Sequence, residues 1–177
     1  MKFLSALVAS AVIAAASFAG DVEIAGMKSK TPDTWKEEKP SSNMRLTQFK
    51  LPKTEGDPDD AELAFFYFPG GSGTAEQNLE RQVKKFKPAE GKEKVESKVE
   101  KTKVGSVDAT YQDVSGTFLS KFPPFAPDAK ITEKKGYRQL YVLFTSDKGD
   151  FYMTLVGPAK TVEKHKKDFE AFLKNFK

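Results

Sequence analysis

Two short runs of this chain have no side that can face water. Leu63-Ala64-Phe65-Phe66-Tyr67-Phe68 and Leu140-Tyr141-Val142-Leu143-Phe144 are apolar at every position. The first is stopped by Pro69-Gly70-Gly71, so it is too short for a helix and the right length for a strand. A strand that is apolar on both alternating faces belongs at the middle of a sheet whose two faces are both covered. The rest of the sequence must therefore supply edge strands on either side and a cover above and below.

The covers are readable as two amphipathic helices. Past the glycines, Thr74 and Gln77 have the spacing of a capping box, and Leu79, Val83 and Phe86 recur at i, i+4 and i+7. This predicts a helix of about 12 residues, ended by Pro88 and Gly91. At the other end of the chain Gly157-Pro158 opens a second helix, since proline suits a first helical turn. Val162, His165, Phe169, Phe172, Leu173 and Phe176 form one stripe along it, and lysines fill the opposite face.

The remaining segments read as strands and turns. Thr34–Glu38 and Met44–Leu51 are joined by the turn-forming Lys39-Pro40-Ser41-Ser42-Asn43. Lysine and glutamate alternate from Glu90 to Lys103, a pattern open to a disordered charged run or an exposed edge strand. The edge strand is favoured because Val104-Gly105-Ser106-Val107 makes a tight turn into a second arm, Val107 to Phe118. Lys121–Lys135, rich in proline and charge, reads as a long loop. Tyr137–Thr145 and Phe151–Val156 are strands joined by Asp147-Lys148-Gly149-Asp150. The expected fold class is α+β: an antiparallel sheet of about six to seven strands flanked by two main helices, an α/β/α sandwich in the order βββα-ββββα.

Residues 1–19 read as a signal peptide, with Lys2 in the n-region, Leu4–Ala16 as h-region, and Ser17 and Ala19 placed for cleavage before Gly20. The alternative, an uncleaved anchor, suits the run less well because it is short and rich in Ala and Ser. Residues 20–34 read as a linker and 35–177 as one domain. The expected location is periplasmic or secreted, with no stable membrane insertion after cleavage. The chain of 177 residues has no cysteine, so disulfides, thiolate metal sites and cysteine nucleophiles are excluded, and stability must come from the core, to which 15 phenylalanines contribute.

Trp35 opening the domain, Val104-Gly105-Ser106-Val107 in the middle hairpin and Gly157-Pro158 before a phenylalanine-rich last helix resemble the Mog1/PsbP-like family, over roughly Trp35 to Phe176. The stretches Asn43–Leu46, Asp108–Tyr111 and Leu155–Val162 are also similar to small exported proteins of planctomycete-type bacteria. The resemblance implies an antiparallel sheet flanked by helices and a non-catalytic binding role, since the family includes an extrinsic photosystem II subunit and a binder of a small GTPase. It transfers no binding residue to this chain, because fold does not carry function.

Few residues could carry chemistry. Gly71, Ser72, Gly73 and Thr74 lie at a strand-to-helix junction whose backbone N–H groups could bind an anion. The loop lacks the lysine of a P-loop, the third glycine of a dinucleotide fingerprint and the last glycine of a nucleophile elbow. His165 is the single histidine, and its place on the apolar stripe predicts a packed residue with one hydrogen bond. Asp57, Asp59, Asp60 and Glu62 read as a solvated acidic loop without the EF-hand pattern, so no metal and no cofactor is expected. Phe122, Pro123, Pro124 and Phe125 are the candidate partner-binding residues, since prolines lower the ordering cost of presenting two aromatics. The formal charge of +4 is concentrated after Ala159, where six lysines face three acids, so nucleic-acid binding lacks a broad basic footprint.

These readings favour a non-enzymatic exported binding or accessory protein whose partner is an unknown protein or envelope component. The alternative is a small anion-binding protein or hydrolase using Gly70 to Thr74. A third reading uses the lysine face of the last helix to bind the envelope surface.

Overall fold

The computed structural model describes residues 20–122, 126 and 128–177; the expected signal peptide, 1–19, lies outside them. In chain order the elements are β1 (Asp21–Ile24), β2 (Met27–Lys30), β3 (Lys36–Glu38), β4 (Arg45–Leu51), β5 (Ala61–Phe68), α1 (Ala75–Val83), β6 (Phe86–Lys87), β7 (Glu96–Val104), β8 (Val107–Phe122), β9 (Lys130–Ser146), β10 (Gly149–Pro158) and α2 (Ala159–Lys174). Among the described residues β3 to β10 make an eight-stranded sheet in the order β3-β4-β5-β10-β9-β8. Beyond β8, β6 pairs with Thr117 and Phe118, and β7 pairs with the stretch from Val107 to Ser115.

The two doubly apolar runs flank β10 at the middle of this sheet. Leu155 stands opposite Leu63 and Leu140, Met153 opposite Phe65 and Val142, and Phe151 opposite Tyr67 and Phe144. All nine side chains share one face, and α2 covers it with Val162, Phe169, Phe172 and Leu173. The Phe172 ring is the hub, 5.4 Å from Trp35, 6.0 Å from Phe65 and 4.9 Å from Phe176 between centroids. Each such ring contributes about 1.5–3 kcal/mol when fully buried. On the other face, Tyr141, Leu143 and Tyr152 pack with Phe66, Phe68 and Leu79 of α1. Among the described residues no helix is long and apolar enough to cross a membrane.

Several expectations need correction. Residues 20–34 are not a linker: β1 and β2 form a hairpin that buries Val22 and Ile24 in the main core, so the folded unit includes residues well ahead of Trp35. This hairpin is tied to the end of the chain. The Lys28 N–H donates to the Lys177 carbonyl at 2.8 Å, the Lys177 N–H returns a bond to Lys28 at 3.1 Å, and Ser29 Oγ donates to the Phe172 carbonyl at 2.9 Å. The segment Lys121–Lys135 is mostly strand, because β8 runs to Phe122 and β9 already starts at Lys130. The sheet has eight strands rather than six to seven, the addition being the two-residue β6 that follows α1. That helix is also shorter than expected, nine residues, because Phe86 leaves it to pair with Phe118.

The tight turn between β7 and β8 does form, and it closes α2. Gly105 has φ +58° and its N–H donates to the Leu173 carbonyl at 2.8 Å, satisfying a carbonyl at the helix end. A Cβ there would come within 2.3 Å of the Phe176 carbonyl oxygen, so only glycine fits both the conformation and the space.

Candidate functional site

The glycine loop between β5 and α1 is filled by its own neighbours. Thr74 Oγ1 accepts from the Gln77 N–H while Gln77 Oε1 accepts from the Thr74 N–H, completing the expected capping box. The Ser72 N–H donates to Asp150 Oδ2 at 3.2 Å, and Thr145 Oγ1 and Tyr152 OH also donate to that carboxylate, at 2.7 and 3.3 Å. Arg81 Nη2 donates to the Ser72 carbonyl at 2.6 Å and to Asn78 Oδ1. Asp150 thus stands where a bound anion would be expected to meet Ser72.

The Ser72 hydroxyl is held by neutral partners. Its Oγ is hydrogen-bonded to Asn78 Oδ1, at 3.2 Å, and to Tyr152 OH, while the neighbouring Asp150 carboxylate takes the Ser72 backbone N–H rather than the hydroxyl. Burial, aided by the Asp150 carboxylate, raises the Tyr152 pKa, so this phenol stays neutral. His165 is on the opposite face of the sheet, where its Nε2–H donates to the Pro52 carbonyl at 2.9 Å. It is buried among the apolar residues of α2, the packed histidine with one hydrogen bond that its position predicts.

Sequence reading missed a polar strip beneath α1. Gln139 Nε2 and Lys85 Nζ both donate to Gln82 Oε1, at 3.1 and 2.7 Å. Gln112 Nε2 donates to the Leu79 carbonyl at 3.3 Å and to Ser97 Oγ at 3.0 Å, leaving its own Oε1 buried without a partner. The available signal was Gln112 and Gln139 standing in strands that are otherwise apolar toward this helix.

The acidic loop is engaged rather than freely solvated. Asp60 Oδ1 accepts from the Lys53 N–H at 2.8 Å, and Asp57 Oδ2 accepts from the N–H and hydroxyl of Thr161 at 2.9 and 2.6 Å. Asp59 accepts from Tyr137 OH and from Lys134 Nζ, the latter at 2.9 Å; these bonds hold its pKa below the usual carboxylate range. Among the described residues no group of three or more His, Cys, Asp or Glu is placed to hold a metal ion.

That Asp59 contact anchors the base of an arm. Beyond Gly116, β8 and β9 continue as a ribbon from Phe118 opposite Lys134 to Phe122 opposite Lys130. At its base Phe118 stacks on Tyr137, with centroids 6.1 Å apart, and packs on Phe86. At its far end Phe122 is 75% exposed and Ile131 52%, flanked by the exposed Lys121 and Lys130. Of the candidate partner residues Phe122 is therefore on the surface of the arm, while Pro123, Pro124 and Phe125 lie outside the described residues.

The overall arrangement is similar to the solution structure of cyanobacterial PsbP (CyanoP) from Synechocystis sp. PCC 6803, with a TM-score of 0.50 at 13% sequence identity, covering 97% of this chain and 98% of that one. At that identity the likeness shows the fold: a PsbP-like α+β antiparallel sheet flanked by helices. No protein-family model and no curated protein matches the sequence.

Proposed function

We propose that this PsbP-like chain is an exported, non-enzymatic accessory protein that docks onto a protein of the cell envelope through the far end of the β8–β9 arm. One observation carries the reading: two large apolar side chains are exposed at the far end of the arm, Phe122 beside Lys130 on one face of the ribbon and Ile131 beside Lys121 on the other, while the base of the arm is fixed by Phe86, Phe118, Tyr137 and Asp59. Apolar residues exposed singly are ordinary on a protein surface, but an aromatic side chain three-quarters exposed at the tip of a projecting ribbon, with charge beside it, is suited to anchor a partner. The matching partner surface is apolar with acidic groups at its rim.

Export rests on the signal-peptide reading of residues 1–19, with cleavage before Gly20, and on the likeness of Asn43–Leu46 and Leu155–Val162 to small exported proteins of planctomycete-type bacteria. The non-enzymatic part rests on Ser72, whose hydroxyl is bonded to Asn78 and to the neutral Tyr152 rather than directly to a carboxylate or imidazole, and on the self-filled loop around it.

The experiment places a photo-crosslinking side chain at Phe122 in one variant and at the exposed Glu80 of α1 in another, in cells exporting the protein. A discrete crosslinked envelope protein from position 122 and none from position 80 is the expected result. Phe122→Ser combined with Ile131→Ser should then abolish co-purification of that protein at unchanged Tm. Equal crosslinking from both positions, or undiminished co-purification by the double variant, would refute the reading.

A further inference from the structure

One long backbone edge of the sheet is left unpaired among the described residues. β7 pairs with β8 along one side over all nine of its residues, and nothing pairs along the other. Its side chains are exposed from Glu96 to Lys101, including Val99 at 50%. An open edge of this length is a template for another strand unless its side chains forbid it. Lysines ordinarily do the forbidding. Here lysine alternates with glutamate, so the edge is closed to most strands while its own copy can satisfy it in one register.

That register follows from the ladder. The two-residue turn Gly105-Ser106 closes on the Val104–Val107 pair, and hydrogen-bonded and non-hydrogen-bonded pairs alternate away from it. Thr102, Glu100 and Lys98 accordingly direct their N–H and C=O groups at β8, while Lys103, Lys101, Val99 and Ser97 direct theirs outward. Two copies related by a two-fold axis set one residue against itself, an outward one in a hydrogen-bonded pair or an inward one in a non-hydrogen-bonded pair. Of the inward residues, centring on Lys98 or Glu100 sets like charges against each other, and centring on Thr102 sets Lys101 against Lys103. Centring on Lys101 or Lys103 sets a lysine against itself, and centring on Ser97 runs off the strand beyond Glu96. Centring on Val99 places Val99 against Val99, Lys98 against Glu100 of the second copy, Glu100 against its Lys98, and Ser97 against its Lys101. Lys98 and Glu100 already form an ion pair within one chain, so both charges project on one face beside this edge.

We infer that two copies of this chain join by antiparallel pairing of their β7 edges about Val99, continuing two eight-stranded sheets into one. The edge lies on the opposite strand face of β8 from β9, so the assembly leaves the β8–β9 arm available and does not depend on what the arm binds.

Sedimentation velocity on the purified protein at low salt tests this through charge exchange. The wild-type protein should sediment as a dimer. K98E sets glutamate against Glu100 of the second copy and E100K sets lysine against Lys98, so each alone should be monomeric, with dimerisation weakened at least ~10-fold because like charges then stand directly opposite. An equimolar mixture of the two should recover a one-to-one dimer, and the double variant K98E/E100K should dimerise by itself. Should a single variant not fold by circular dichroism, Val99→Lys, which puts two cations on the axis, gives the same readout. A monomeric wild type, a dimeric K98E, or a mixture that stays monomeric overturns the inference.

Discussion

Tyr111 carries a hydroxyl that folding has taken out of water; the residue is 7% exposed and its oxygen has no hydrogen-bond partner among the described residues. A buried polar group in that state costs its desolvation, about 1–3 kcal/mol, so removing it is favourable when the ring that carries it is retained. Tyr111→Phe should leave the protein unchanged or stabilise it by up to about 1 kcal/mol, read as a rise in the urea midpoint at constant m-value. A loss of stability would mean that the hydroxyl is bonded in solution. The packed His165 and the Thr74–Gln77 capping box were readable in the sequence, because each follows from the spacing of residues within a turn or two of chain. The filling of the glycine loop was not readable, since Ser72 meets Asp150 across 78 residues of sequence and no local pattern encodes that meeting. Residue types at the loop left an anion site open; only the fold shows an internal carboxylate beside it.

At the scale of elements, α2 illustrates how a helix end can be finished by a distant loop. Its N-cap residue is Pro158, which offers no side-chain cap, and its first turn has no acid. Asp57 supplies both deficits from the loop between β4 and β5, accepting from the Thr161 N–H and placing a negative charge at the positive end of the helix dipole. Asp57→Ala should therefore cost about 1–2 kcal/mol, and Asp57→Asn should cost less by keeping an acceptor but losing the charge, both measured by urea unfolding. An unchanged midpoint in the alanine variant would remove this cap. The elements themselves were largely visible: β5 and β9 from their unbroken apolar runs, α2 from its stripe, β7 from its charge alternation. The first hairpin and the β8–β9 arm were missed for identifiable reasons. Val22 and Ile24 alternate over only four residues inside a polar stretch, too short a period to stand out, and the prolines at 123, 124 and 127 made their strand-forming neighbours look like loop.

For the molecule as a whole, tyrosine sets the alkaline limit. Burial, the first cause at each site, raises the phenol pKa of Tyr111, Tyr137, Tyr141 and Tyr152 above the ordinary 10.0, with Asp59 adding to the effect at Tyr137. The folded state keeps these phenols neutral, whereas the unfolded chain ionises them near pH 10. Their contribution is thus intact below about pH 10 and is lost as pH rises from there toward the folded-state values. Absorbance at 295 nm should rise cooperatively with loss of near-ultraviolet circular dichroism. A phenolate signal from these tyrosines that precedes unfolding would contradict the burial described here. The stitch between Lys28 and Lys177 governs a different property, the timetable of folding during synthesis. The hairpin that carries Val22 and Ile24 is among the earliest segments of the described chain to be made, yet the groups it bonds, at Phe172 and Lys177, are among the last. Until Phe172 and Lys177 appear, β1 and β2 lack the groups they bond and the ring cluster around Phe172 is missing its centre. A chain built this way remains unfinished, and so threadable through a narrow pore, until the segment from Phe172 to Lys177 has been translated.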